Sequence, residues 1–227
     1  MDMGKRQNKK DQITELVILL TLLIISFFLW DTYFIYPIKL FVVLLHEVSH
    51  AIAAIITGGK ITEMNIGFDL GGKCVTEGGN NIFIASSGYL GSLLLGLLFF
   101  LSPNNRKTGL WIIITISVMI LVTAISISAN SVFIILALIL SSLLVPAAFF
   151  LRIPIVSILI RSFGLISCIY VLLDIKDDLL TRTIAISDAS ILSDITNIPA
   201  GLIGLSWALV SIAGIYFAVR LSYKSQS

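Results

Sequence analysis

Pro37-Ile38-Lys39-Leu40-Phe41-Val42-Val43-Leu44-Leu45-His46-Glu47-Val48-Ser49-His50-Ala51-Ile52-Ala53-Ala54-Ile55-Ile56-Thr57 runs into Gly58-Gly59. A proline opens this stretch and a glycine pair closes it, so it reads as one helix from about Ile38 to Thr57. About twenty residues at 1.5 Å each span the roughly 30 Å hydrocarbon core of a bilayer. The flanks of the His-Glu-Val-Ser-His segment are wholly apolar. His46 stands about 12 Å beyond Ile38, near the middle of such a core. The two histidines of the chain both lie in this helix. Inserting an ionisable group at that depth costs on the order of 2.5–3.5 kcal/mol even on the most lenient scale.

Outward from this helix the sequence keeps the same solvent. Of its 227 residues, 57% are hydrophobic and 12% charged, where a soluble domain carries about 25% charge. The mean hydropathy is +1.03. Upstream, an apolar run from Leu16 to Trp30 follows Lys5, Arg6, Lys9 and Lys10. No small-residue cleavage pattern follows it, and Trp30, Tyr33 and Tyr36 resemble an interfacial belt, so it is expected to be a retained first span. The basic tail of residues 1–12 then places the amino terminus in the cytoplasm.

Downstream, Lys60 to Glu77 alternates around Gly71-Gly72, with Ile61, Met64, Ile66 and Phe68 on one side and Val75 on the other. This predicts a small hairpin over 60–77. Ile82 to Leu101 is a third span, with Gly88, Gly91 and Gly96 at a spacing that lets helix backbones approach in lipid. No charge occurs from Gly109 to Leu151, which is too long for one helix, so two spans turn at Ser128-Ala129-Asn130. Ile153 to Ile175 is a further span interrupted by Arg161, Lys176 to Thr196 is a polar connection, and Gly201 to Val219 is the last span. The expected fold is an all-α polytopic membrane protein of six or seven transmembrane helices, with a β-hairpin after the second. A single membrane-embedded domain covers residues 1–227.

Composition also excludes other classes. The net charge of +2 says nothing of partners, but no basic tract interleaved with aromatics occurs of the kind that tracks nucleic acid, and no nucleic-acid partner is expected. Cys74 and Cys168 stand in unlike settings and form no disulfide framework or cysteine-rich metal site.

Chemistry concentrates at His46-Glu47-Val48-Ser49-His50. A spacing of four puts both imidazoles on one helical face, the arrangement by which one zinc ion takes two nitrogens at about 2.0–2.1 Å. Glu47 projects beside them, where a carboxylate can take a proton from an attacking water. On a soluble helix the same residues would be an ordinary solvated face. In a bilayer they mark a functional cavity, and one Zn2+ per chain is expected.

His46 to Gly59, a short hairpin, and then Ala85-Ser86-Ser87-Gly88-Tyr89-Leu90-Gly91 resemble the core of the site-2 protease family of intramembrane zinc metallopeptidases, in its compact branch without a PDZ domain. The resemblance covers about the first half of the chain. It implies that His46 and His50 bind zinc, that Glu47 is the catalytic base, and that an aspartate from a later helix completes the site. It also implies a glycine-rich third span packed on the catalytic helix and a hairpin that presents substrate backbone as an added strand. Asp174, at the end of the apolar run Tyr170-Val171-Leu172-Leu173, is the favoured third ligand because it is the aspartate most readily drawn into the bilayer. Asp178, a turn later, is the first alternative. Asp188 is read chiefly as a helix cap, although its Ser187-Asp188-Ala189 setting resembles a stretch of the compact branch. The aspartate-glycine signature of the wider family is absent, since Ile175 follows Asp174.

Other intramembrane polar residues have simpler readings. Arg161 snorkels to an interface or pairs with a late aspartate. Ser86, Ser87 and Ser92 are packing residues, as no spare histidine exists to activate them. Asn65 and Asn80-Asn81 turn or terminate the hairpin, and an asparagine near the metal could polarise a substrate carbonyl.

Two functional readings follow. One is a zinc endopeptidase that cuts a membrane-embedded or membrane-proximal segment of a membrane protein or peptide. The other is a non-proteolytic membrane protein on the same scaffold: a metal-handling protein, a transporter or a scaffold for partners. Glu47 separates them, because zinc binding alone does not require it.

Overall fold

The computed structural model describes residues 3–29, 32–67, 71–102, 106–127, 152–180 and 187–224, with scattered helical residues between 134 and 150. Among them run, in order, α1 (Met3–Phe28), α2 (Tyr36–Ile56), β1 (Lys60–Ile66), β2 (Gly72–Glu77), α3 (Asn81–Phe100), α4 (Arg106–Ile127), α5 (Ile153–Leu180), α6 (Asp188–Thr196) and α7 (Ala200–Lys224). Among the described residues, four helices are long and apolar enough to cross a membrane, over Ile38–Ile56, Asn81–Phe100, Ile155–Lys176 and Ala200–Tyr223. Shorter apolar stretches lie at Gln12–Phe28 and Lys107–Val118. The chain is therefore the helical membrane bundle with a small hairpin that its sequence predicts. The turn expected at Ser128-Ala129-Asn130 lies outside the described residues.

α2 is the central element. Pro37 sits in its first turn, where a missing N–H costs nothing. At its other end Gly58 N–H bonds Ile55 O and Gly59 N–H bonds Ala54 O, with Gly58 at φ +85°. That left-handed glycine lets two orphan carbonyls be satisfied while the chain turns into β1. Leu40 to Leu45 are all buried, and they meet Met64 and Ile66 of the hairpin and Ile116 of α4. Met64 and Ile66 share one face of β1, two residues apart. They clamp the hairpin onto α2, and the opposite face carries the exposed ion pairs Lys60–Glu77 and Lys73–Glu63.

β1 and β2 are antiparallel, with Met64 opposite Cys74 and Ile66 opposite Gly72, and a register shift between Ile61 and Glu63. Residues directly opposite in such a pair project to the same side. Cys74 therefore faces α2 along with Met64.

α3 packs between α2 and α5. In lipid, helices gain little from the hydrophobic effect and associate through close contact of small residues. Gly96 illustrates this: a Cβ there would lie 2.9 Å from both Gly164 O and Cys168 Sγ of α5. Gly96 thus forms part of the surface by which α3 packs on α5.

Two expectations are corrected. The stretch 176–196, read as a polar connection, contains the end of α5 and the whole of α6. α6 forms because Ser187 caps it while Ala189 and Leu192 are buried in a cluster with Tyr89 and Trp207. Arg161 meets an early glutamate in place of a late aspartate. It is 7% exposed and donates to Glu15 of α1 and to Ser222 of α7. Its guanidinium also lies over the rings of Phe100 and Tyr223, at 4.9 and 5.6 Å. The partners come from the start of the apolar stretch Gln12–Phe28 and the end of the span Ala200–Tyr223, helix ends that α5 meets beside Arg161.

Candidate metal centre

The i, i+4 spacing on α2 brings the His46 and His50 rings to a centroid separation of 4.8 Å. Each is braced from outside the helix. His50 Nδ1 lies 2.7 Å from the Ile84 carbonyl. A carbonyl only accepts, so Nδ1 carries the proton and Nε2 presents its lone pair to the centre. Ser87, from the same turn of α3, donates to Ile84 O at 2.6 Å. His46 meets the ring of Tyr89 edge to face at 4.9 Å, and Tyr89 in turn lies 5.0 Å from Trp207. Such outer contacts fix ring orientation before a ligand arrives.

The third donor comes from α6. Asp188 Oδ2 lies 2.9 Å from His46 Nε2 and 3.2 Å from His50 Nε2. His46, His50 and Asp188 form a group whose ligand atoms all lie within 4.8 Å of one another, the one such group among the described residues. Its origin is local. Ser187 supplies the helix cap, accepting from Ser190 N–H at 3.2 Å while its own N–H donates to Ser190 Oγ at 2.9 Å. Asp188 is therefore relieved of capping, and as the first residue of α6 it turns towards α2.

Two observations test whether the three residues suit a cation. Asp188 Oδ2 is buried and makes no hydrogen bond, despite two ring nitrogens nearby. With the His50 proton committed to Ile84, a carboxylate facing a bare Nε2 is repulsive unless a positive charge lies between them. Space is also kept open. A Cβ on Gly88 would lie 2.5 Å from His50 Nε2 and 2.6 Å from Asp188 Oδ2, and would overlap His46 Nε2. Glycine at this position leaves the cradle that an ion would fill.

Glu47 projects from the same turn and is 5% exposed. β2 crosses directly above it, where any Cβ on Gly72 would overlap the carboxylate. The centre opens into a cavity of about 600 Å³ lined in part by Glu47, Gly72, Cys74, Tyr170, Asp174 and Asp188. Burial pushes the Cys74 thiol up to about 12, with Glu47 and Asp188 adding to it. That thiol is protonated at neutral pH.

Asp174, expected as the third ligand, lines this cavity but is not in the converging group. α5 presents it on the cavity wall, while the start of α6 brings Asp188 to the imidazoles. The side chains of Asp177 and Asp178 lie outside the described residues. Sequence reading missed Tyr89, the Ile84 carbonyl, and the roles of Gly72 and Gly88. A usable signal did exist for Asp188, because Ser187 beside it is the better cap and leaves the aspartate spare.

No curated protein and no solved structure matches the chain. A family model described as Peptidase M50B-like matches residues 19–218, a span that holds α2, the hairpin, α3 and α6 with every residue of the centre. The chain belongs to the Peptidase M50B-like family and is an integral membrane protein built on a metallopeptidase scaffold.

Proposed function

We propose that this protein is an intramembrane zinc endopeptidase that hydrolyses peptide bonds in membrane-embedded or membrane-proximal segments of other membrane proteins. The observation that carries the reading is the convergence of His46, His50 and Asp188 on one point, with Glu47 adjoining them on a membrane-spanning helix. His46 Nε2, His50 Nε2 and an Asp188 oxygen would hold the ion, leaving one position open as catalytic zinc sites do. When bound, zinc supplies Lewis acidity to the substrate carbonyl and to the attacking water. Glu47 takes a proton from that water and returns it to the leaving amine. Ile84 O holds the His50 tautomer through the cycle, and the Tyr89–Trp207 pair holds the His46 ring.

A helix hides its amides in its own hydrogen bonds, so substrate must unwind before it is cut. β2 lines the cavity from Gly72 to Cys74, beside which an unwound backbone can pair as an added strand. The basic tail of residues 1–12 fits an amino terminus on the cytoplasmic side.

Glu47→Gln distinguishes this reading from a metal-handling or transport role. Zinc content should stay at about one per chain, as a three-ligand site requires. Cleavage of a helix-destabilised transmembrane peptide should fall by roughly 10²–10⁴. Unchanged turnover in that variant would assign the base elsewhere, and wild-type protein that takes up no zinc would end the peptidase reading.

A further inference from the structure

We propose that Ile191 and Ile195 of α6 are specificity residues that receive two apolar substrate side chains, two positions apart on one side of the bond that is cut. The proposal rests on the peptidase reading above and names the substrate class for the same cavity. α6 supplies Asp188 at its first residue, and Asp188, Ile191 and Ile195 all line the cavity that opens from the metal centre. At 3.6 residues per turn these three fall within about 60° of one another, on one face of the helix. Ala189 and Leu192 lie outside that arc and are buried with Tyr89 and Trp207, which fixes the rotation of α6. The turn that brings the aspartate to the imidazoles therefore brings both isoleucines into the same space.

Their spacing matches an extended chain. Ile191 and Ile195 stand about 6 Å apart along the helix axis. Side chains on one side of a strand recur every two residues, about 6.6–6.8 Å apart. β2, which lines the cavity from Gly72 to Cys74 and at Thr76, sets an unwound substrate backbone in that extended form. Both isoleucines lie beyond Asp188 in the same direction along α6, so the two side chains they meet belong to one side of the cut. Ile191 and Ile195 are 39% and 40% exposed, and each keeps apolar surface for a substrate to cover. Ile84 and Ala85 of α3 line the same cavity and add to its apolar wall. A leucine covers that surface, whereas an alanine leaves most of it open.

The test uses the zinc-loaded full chain in detergent. The probes are single-span synthetic peptides with a central Asn-Pro, in which alanines flanking the cut are replaced by leucine one at a time, and mass spectrometry locates the cut. Leucine at two positions, two residues apart on the same side of the cut, should raise kcat/KM by roughly tenfold. Ile191→Ala should abolish the preference at the position nearer the cut and keep that at the farther one, and Ile195→Ala should do the reverse. Zinc should stay at about one per chain in both variants, which identifies them as folded and loaded. Equal cleavage of alanine and leucine peptides at every position overturns the assignment, as do preferences on opposite sides of the cut or at adjacent positions. A leucine preference that survives both substitutions overturns it too. Loss of zinc from either variant would make that isoleucine a support of Asp188 and overturn it equally. No cleavage of any peptide by the loaded wild type would overturn the peptidase reading itself, which separates that failure from a failure of the two pockets alone.

Discussion

Two clusters of ionisable groups are buried in this bundle, and α5 touches both. Near its start Arg161 donates to Glu15 and Ser222 under the rings of Phe100 and Tyr223. Thirteen residues later, about 20 Å along the helix, Asp174 faces the cavity over His46, His50 and Asp188. The first cluster pairs opposite charges and is closed by aromatic rings. The second sets a carboxylate oxygen against two imidazoles without a hydrogen bond and opens into about 600 Å³ of space. Burial of charge in a membrane protein is therefore an incomplete sign of function. Both clusters hold buried polar atoms without a hydrogen bond, Arg161 Nε and Tyr223 Oη in the first and Asp188 Oδ2 in the second, so the distinguishing features are a carboxylate oxygen set against two imidazoles and the room beside it.

Substitutions should separate the two clusters by what they change. His50→Ala, the most severe, leaves two donors, and zinc should be lost to a mild chelator by a margin beyond the roughly 10–100-fold that outer partners contribute. Arg161→Ala should leave zinc content intact but cost on the order of 1–3 kcal/mol in reversible unfolding, because it removes the partner of the half-buried Glu15. If Arg161→Ala emptied the metal centre while the protein stayed folded, the two clusters would be coupled and the contrast would fail. Gly88→Ala comes next. On an ordinary helix that change helps by up to about 1 kcal/mol, but here it should lower zinc affinity by about tenfold or more, since overpacking costs about 1–3 kcal/mol. Equilibrium zinc competition against a chelator measures it, and an unchanged affinity would mean that the cradle is not where the ion sits. The smallest effect belongs to Lys73→Ala. Its pair with Glu63 is exposed on both sides, so stability should move by less than about 1 kcal/mol.

The membrane bundle was legible because long uncharged runs have few alternatives, and the span at Pro37–Gly59 announces both its ends. The hairpin at 60–77 was legible from alternation around Gly71-Gly72. The histidine pair could be read because four-residue spacing fixes a helical face without any tertiary knowledge. Asp188 could not be fixed in this way. Its position depends on how α6 folds back against α2 and α3, which is set by Ala189 and Leu192 packing with Tyr89 and Trp207. Distance along the sequence favoured Asp174, whereas three-dimensional convergence favours Asp188. Arg161 was misread for the same reason, as its partner Glu15 lies 146 residues away. Gly88 looked like a packing residue of the third span, and only the placement of His46, His50 and Asp188 above it reveals the space it preserves.

The central claim is that Asp188 completes a metal centre with His46 and His50. It is tested most directly by zinc content of purified Asp188→Ala and Asp174→Ala proteins beside the wild type. The account predicts about one zinc per chain in the wild type and in Asp174→Ala, and essentially none in Asp188→Ala. Zinc kept by Asp188→Ala and lost by Asp174→Ala would contradict it.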